Sequence, residues 1–236
     1  MTHRFFVAVA PADEAVIEGD QARQIATVLR LAAGERVILV ADGLEHDVAL
    51  ERVTARRVSG RVIARRLITT EPPFRLTLAL PLLKGDRSEE VIEAASQLGV
   101  SRFVPFVSAR SVVKELSAAK LERWQRIARE AAETARRAIA PVVEPAVRWE
   151  ALVDRFDGTV LVCWEEAREP HLATVVVSGA CSLVIGPEGG LGADEVEMLT
   201  ARGARAVSLG PRNLRAETAA MAAVALLVGA AEGRPG

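Results

Sequence analysis

Four ionic or hydroxyl side chains crowd one short stretch near the end of the chain. Arg212, Arg215, Glu217 and Thr218 lie within "LGPRNLRAET", directly before an almost wholly apolar run, "AAMAAVALLVGAA". Charged groups at the mouth of a buried helix need partners or a ligand. The plainer alternative is a helix start, with Glu217 complementing the N-terminal dipole. Upstream, "SLVIGPEGG" runs a buried strand into Gly186, Pro187, Glu188, Gly189 and Gly190. In open parallel sheets ligands bind beyond the carboxyl ends of strands, and glycines there let backbone groups come close. This is not a phosphate loop, because no GK[ST] follows and Glu188 would repel a phosphate. Nor is it a dinucleotide fingerprint: after Gly190-Leu-Gly192 the third glycine position holds Glu195. Taken alone the loop is as readily an ordinary strand-to-helix turn. A second strand ending in Leu209 and Gly210 makes a shared ligand the better reading.

Basic residues form the next candidate set. Lys84, Arg87, Arg102, Arg110 and Lys114 fall at strand ends and loops, and Arg56, Arg57, Arg61, Arg65 and Arg66 cluster on a hairpin. Such positions can hold nucleic-acid phosphates. A long helix carries Arg123, Arg126, Arg129, Arg136 and Arg137, but Glu122, Glu130 and Glu133 share it, so a solvated charged face is the preferred reading there. Trp124 falls on its apolar stripe and reads as core.

These residues must be carried by two kinds of architecture. Up to about residue 70 the pattern is short strands: "RFFVAV", two strands around Asp42-Gly43, and "GRVIARRLI". One helix, "DQARQIATVLRL", places Ile25, Val28 and Leu29 at helical spacing. This predicts a small β-barrel over residues 1–70, with Glu71-Pro-Pro73 as linker. Residues 74–236 alternate strands ("RLTLALPLL", "RFVPFV", "GTVLVCW", "CSLVIG", "AVSLG") with helices. The helices are expected at about Ser88 to Leu98, capped by Asp86 and Glu89, at Ser117 to Ala140, and over "GADEVEMLTARG". The alternation predicts an α/β fold on a mostly parallel sheet. The final helix, apolar all round, is expected in a core or, by preference, a subunit interface.

Composition narrows the function. The 236 residues carry a net charge of −1, so no global field draws the chain to nucleic acid or membrane, and any such contact rests on local patches. Aromatics are 4% with no Tyr, which disfavours a base-stacking surface. Cys163 and Cys181 sit in apolar runs and read as buried free thiols. His3, His46 and His171 have no metal spacing, and no metal is expected. The N-terminus lacks a signal-peptide pattern and the longest apolar run is short of the ~20 residues that span a bilayer, so a cytoplasmic protein is expected.

Five motifs, "KGDR…VIEAASQLGV", "RSVVK", "RWQRIAREAAE", "IGPEGG" and "LGPRNLRAETAAMAAVALL", together resemble the RsmE family in order and spacing. These are bacterial methyltransferases of N3 of U1498 in 16S ribosomal RNA. "HRFFV" and "VLRLAAGERVIL" look like that family's PUA-like RNA-binding barrel. The resemblance implies a SPOUT-class domain threaded into a trefoil knot, an exception to the rule against threaded loops, working as a homodimer on the 30S subunit or its rRNA. It implies S-adenosyl-L-methionine held by Trp164, Gly186, Pro187, Glu188, Gly189, Gly190, Leu209, Gly210, Asn213, Leu214, Arg215 and Thr218. Arg215 and Glu217 would serve the reacting end, with Glu217 orienting Arg215 or accepting the proton. RNA phosphates would meet Arg4, Arg30, Arg56, Arg57, Lys84, Arg87, Arg110 and Lys114.

The chain departs from the family pattern at Gln24, Ala41, Ala94, Gln97, Thr134 and Ala135, none of them in the two glycine loops. Three rival readings stand beside this one. They are methylation of another site such as a ribose 2′-hydroxyl, a non-catalytic RNA-binding assembly factor, and a nucleotide-dependent oxidoreductase, the last disfavoured by the failed fingerprint.

Overall fold

The computed structural model describes residues 2–233. Contacts divide the chain into two units, Met1–Glu71 with Arg136–Ala140, and Pro72–Ala135 with Pro141–Gly236.

The first unit is a five-stranded sheet of β1 (His3–Phe6), β2 (Glu14–Glu18), β3 (Arg36–Ala41), β4 (Leu44–Val53) and β5 (Arg57–Leu67), in the order β1-β3-β4-β5-β2. Only β1–β3 is parallel. Asp42 and Gly43, both at positive φ, make the two-residue turn that joins β3 to β4. Alternate residues Val37, Leu39, Val48 and Leu50 point into one core with Phe5, Ile17 and Ile25. The expected helix is α1 (Gly19–Arg23) continued by a π-helical turn, Gln24–Val28. The wider turn rotates Val28 out of the apolar stripe, and it is exposed while Ile25 is buried. Segment 136–140 closes onto this unit through Glu71, whose carboxylate accepts from Arg137 Nε and Nη2 and from the backbone of Ala138 and Ile139.

The second unit is an all-parallel sheet of β6 (Phe74–Pro81), β7 (Val100–Val107), β8 (Val142–Val143), β9 (Val147–Arg148), β10 (Thr159–Cys163), β11 (Gly179–Ile185) and β12 (Arg205–Val207). Its order is β12-β10-β11-β6-β7-β8, with β9 also on β7. The alternation along β6 explains why both faces are covered. Leu76, Leu78 and Leu80 face a core completed by α2 (Arg87–Gln97), α3 (Ala118–Thr134) and α6 (Ala216–Glu232). Ala79, with Val104, Val162 and Val184, faces α4 (Trp149–Leu152) and α5 (Ala193–Thr200). Each fully buried leucine contributes about 1.5–3 kcal/mol. On α6 the face of Ala216, Ala220, Ala223, Val224 and Leu227 is buried in this core, and Ala225 on the other side is exposed.

Three local expectations are corrected. Ser117 caps α3 by accepting from Lys120 N, but the helix ends at Thr134 rather than near Ala140. Arg136 turns left-handed (φ 58°) there, and the next residues serve the first unit instead. Asp86 precedes α2 without capping it through its side chain. Ser88 Oγ accepts from Leu83 N, and Glu89 pairs with Arg123 instead. The strand Glu14–Glu18 was not expected; only Ala15 and Ile17 of its five residues are buried.

Candidate active site

Strands β12, β10 and β11 are neighbours, so the loops leaving their carboxyl ends meet. The loop after β10 begins with Trp164, whose backbone N–H donates to Val207 O at 3.2 Å and so ties it to β12. The same loop returns beside β12, where Leu172 N donates to Ser208 O and Ser208 N to Pro170 O. Ser208 Oγ in turn accepts from Gly210 N at 3.1 Å. The loop after β11 closes with Gly190 N donating to Pro187 O. Gly190 has φ +72°, and a Cβ there would lie 2.0 Å from Glu165 Oε1. Glu165 of one loop thus stands against Gly190 of the next, and all three loops form one cradle.

A fourth loop, after β7, is fastened to this cradle. Glu195, buried at the start of α5, accepts from Ala109 N with Oε1 (3.0 Å) and from Gly192 N with Oε2 (2.9 Å). Arg110 Nη1 donates to Gly189 O. Lys114 Nζ donates to Ser108 O and Ala109 O, holding its own loop. The carboxylate at the failed third-glycine position is therefore a strut. Its spacing, three residues after the N-cap of a helix, is the signal that would have revealed it.

The polar knot before α6 is split. Arg215 is the N-cap residue of α6 and exposed, and among the described residues it has no ion pair. Asn213 and Thr218 are also exposed, while Leu214 is half-buried and Leu209 packs on the core. Glu217 is buried in the first turn, and its partner is Arg87 of α2, Nε to Oε1 at 3.7 Å. The expected pairing of Glu217 with Arg215 is thereby corrected: the packed start of α6 turns the carboxylate inward. Arg87 also lies 3.7 Å from Glu188 Oε1, which accepts from Lys84 N as well.

Of the residues expected on RNA, Arg4 is corrected. It is buried and bonded to Glu45, with a second contact to Arg137 O, so its charge is already committed inside the first unit. Arg30, Arg56 and Arg57 of that unit are exposed, Arg57 being paired with equally exposed Glu18. Lys84, Arg110 and Lys114 of the second unit are exposed too. Arg87 is drawn to two carboxylates rather than left free for phosphate.

A cavity of about 880 Å³ lies at the carboxyl end of β7 and β9, with Lys114, Arg148, Trp149, Asp194, Glu195 and Met198 in its walls. The glycine loops do not line it, and of the expected site residues it holds Lys114. Burial pushes the Cys163 and Cys181 thiols up to about 12, and both are free. Among the described residues no three His, Cys, Asp or Glu side chains are grouped to hold a metal ion. No helix of the described residues is long and apolar enough to cross a membrane.

The protein carries a parallel α/β sheet whose loops converge at the carboxyl edge, where such sheets bind ligands, beside carboxylates and an exposed arginine. Its class is an RNA methyltransferase: a family model described as "RNA methyltransferase domain" matches residues 70–228. The chain is 35% identical to ribosomal RNA small subunit methyltransferase E of Bacillus subtilis (strain 168), over 89% of this chain and 88% of that one. It is 36% identical to the protein of that name from Mycobacterium tuberculosis (strain CDC 1551 / Oshkosh), over 89% and 84%. Its fold is similar to the crystal structure of a ribosomal RNA small subunit methyltransferase E from Neisseria gonorrhoeae bound to S-adenosyl methionine, with TM-score 0.85, 28% identity, and 95% and 96% of the two chains covered. A putative methyltransferase from Legionella pneumophila in complex with the bound cofactor SAM gives TM-score 0.86 at 28% identity, covering 98% of each. The chain belongs to the ribosomal RNA small subunit methyltransferase E family, and it is an rRNA methyltransferase.

Proposed function

We propose that the protein transfers a methyl group from S-adenosyl-L-methionine to N3 of U1498 in 16S rRNA of the small ribosomal subunit. The observation that carries this is the three-loop cradle at the ends of β10, β11 and β12. Its chemistry fits the cofactor. The cradle offers backbone groups and the carboxylates Glu165, Glu188 and Glu217. Such a set suits a nucleoside with a positive sulfur and repels a phosphate. Gly190, with no Cβ, leaves the contact with Glu165 open. Trp164, Gly186 to Gly190, Leu209, Gly210, Asn213, Leu214, Arg215 and Thr218 would hold the group.

When bound, S-adenosyl-L-methionine supplies a methyl already activated by the sulfonium. The residues of the chain then align the acceptor nitrogen and deal with its acidic proton. Arg215, exposed and free of an ion pair among the described residues, stabilises the developing uridine anion. Glu217 is the proton acceptor within the first turn of α6. The target base is taken out of its stack to reach them. Arg30, Arg56 and Arg57 of the first unit, and Lys84, Arg110 and Lys114 of the second, hold RNA phosphates.

The finer architecture belongs to the same reading. The first unit is a PUA-like barrel. The second is a SPOUT domain with a trefoil knot, supported by a strand order in which β11 enters between β6 and β10 while β12 lies beyond β10. The enzyme works as a cytoplasmic homodimer through this unit, for which the partly exposed outer face of α6 is available.

Methylation of 30S subunits and of free 16S rRNA with labelled cofactor tests the reading, with the product nucleoside mapped by mass spectrometry. N3-methyluridine at U1498 is expected. A methyl on a ribose or on another base would overturn it.

A further inference from the structure

One guanidinium joins three elements of the site. Arg87, the first residue of α2, lies 3.7 Å from Glu188 on the glycine loop and 3.7 Å from Glu217 on α6. Both contacts go to Oε1 atoms and are ionic rather than hydrogen-bonded, being longer than the ~3.2 Å limit of a good N–H···O bond. Glu217 needs this cation. Its side chain is 12% exposed, and among the described residues Arg87 is its ion-pair partner. A buried carboxylate without a counter-ion is costly. Its other oxygen, Oε2, is buried with no hydrogen-bond partner among the described residues. Arg87 therefore occupies one oxygen of Glu217 and leaves the second as an uncommitted acceptor.

We propose that Arg87 is a positioning residue of methyl transfer. It locks the glycine loop to the start of α6 and fixes Oε1 of Glu217, so that a base entering the site, which must first uncover the enclosed Oε2, meets an oxygen with no hydrogen-bond partner among the described residues. In the step it serves, the N3–H bond breaks and its proton goes to Oε2. The electron pair on N3 forms the new bond to the methyl carbon, and the old carbon–sulfur pair leaves on sulfur. This rests on the reading of the glycine loops and α6 as the site of transfer. It removes Arg87 from the phosphate contacts, because its charge is spent on two carboxylates.

The test compares the wild type with Arg87→Met, Arg87→Lys, Glu217→Gln and the Arg87→Met/Glu217→Gln pair. Folding is followed by thermal melting, cofactor binding by calorimetry, RNA binding by filter retention, and kcat and KM on 30S subunits or 16S rRNA. Arg87→Met is expected to lower kcat at least tenfold at saturating RNA while RNA affinity holds within about twofold. Arg87→Lys should recover part of kcat, since it restores the charge without the two-pronged geometry. Adding Arg87→Met to Glu217→Gln should cost little more than Glu217→Gln alone, because the arginine acts through that carboxylate. The proposal is overturned if Arg87→Met weakens RNA binding with kcat intact, which would make it a phosphate contact. It is equally overturned if the two losses multiply, or if Arg87→Lys, folded, recovers nothing. A wild type that binds no cofactor and transfers no methyl would instead defeat the reading of the site beneath it.

Discussion

Glu165 and Gly190 come from different loops and meet so closely that a Cβ on Gly190 would fall 2.0 Å from the Glu165 carboxylate. Glu165 is exposed and can swing aside, but the backbone of Gly190, at φ +72°, cannot change without reshaping the turn. An L side chain in this region costs about 1–2 kcal/mol. Gly190→Ala is expected to weaken S-adenosyl-L-methionine binding about tenfold in calorimetry and to lower the melting temperature by about 2–8 °C, the scale of that strain in a chain of this size. Unaltered affinity would show that the loop after β11 does not hold the cofactor.

Arg215 caps α6 through its backbone, so its side chain adds little to the fold. Arg215→Ala keeps the backbone through which this position would hold the cofactor, so it should bind cofactor within a few-fold of the wild type and lose methyl transfer to 30S subunits by at least about 100-fold, the scale of a lost anion-stabilising donor. Single-turnover kinetics read this directly, and near-normal turnover would remove Arg215 from the chemistry.

Glu195 tests the frame rather than the chemistry. Its two oxygens each satisfy a backbone N–H, on Ala109 and on Gly192, in a buried setting. Hydrogen bonds to a charged group contribute about 1.5–3 kcal/mol each. Glu195→Ala is expected to lose about 2–4 kcal/mol by denaturant titration and to loosen both loops, seen as faster amide exchange at Ala109 and Gly192. A stability loss below about 1 kcal/mol would contradict the strut.

His46 of β4 is buried, and burial first, then the Arg65 guanidinium, holds its pKa below the ordinary 6.5. The backbone of Ala41 and the Asp42 carboxylate oppose this without reversing it. A lowered folded value means that the unfolded chain binds the proton more readily. The stabilising contribution of neutral His46 is thus complete above pH 6.5 and is lost as pH falls from there through the folded value. Melts from pH 8 to pH 5 should show a decline that His46→Leu flattens, by up to about 1.4 kcal/mol per pH unit. An equal decline in the variant would assign the effect elsewhere.

Cys163 and Cys181, raised to about 12 by burial, are thiols at neutral pH. Iodoacetamide should leave both untouched in the native protein and alkylate both in denaturant. Labelling of the folded protein would contradict their burial.

Much of this was legible along the chain where the causes are local. The Asp42-Gly43 turn, the continuous apolar strand Phe74–Pro81 and the glycines after β11 each announce their geometry within a few residues. What escaped depends on distant partners. "ARRAIA" is a good helix sequence, yet α3 stops at Thr134 because Arg137 is claimed by Glu71. Arg4 and Arg87 have the residue type of phosphate contacts, and only the fold reveals that Glu45, Glu188 and Glu217 already hold them. The strand Glu14–Glu18 hides because two buried residues between acids make too short a pattern. The inward turn of Glu217 follows from the packing of α6, which spacing from Arg215 does not encode.

Segment Arg136–Ala140 gives the order of synthesis a meaning. A nascent N-terminal domain folds as soon as its chain has emerged. Here the first unit has all five strands early, but the ligands of the Glu71 carboxylate arrive only with Arg137, Ala138 and Ile139. Completion of the first unit waits until all of α2, β7 and α3 has been translated. A gene cut at Pro72-Pro73 would therefore yield no intact half. The N-terminal product would carry an unsatisfied acid, and the C-terminal one an orphaned arginine loop. A synthetic peptide of residues 136–140 would be the missing piece of the former.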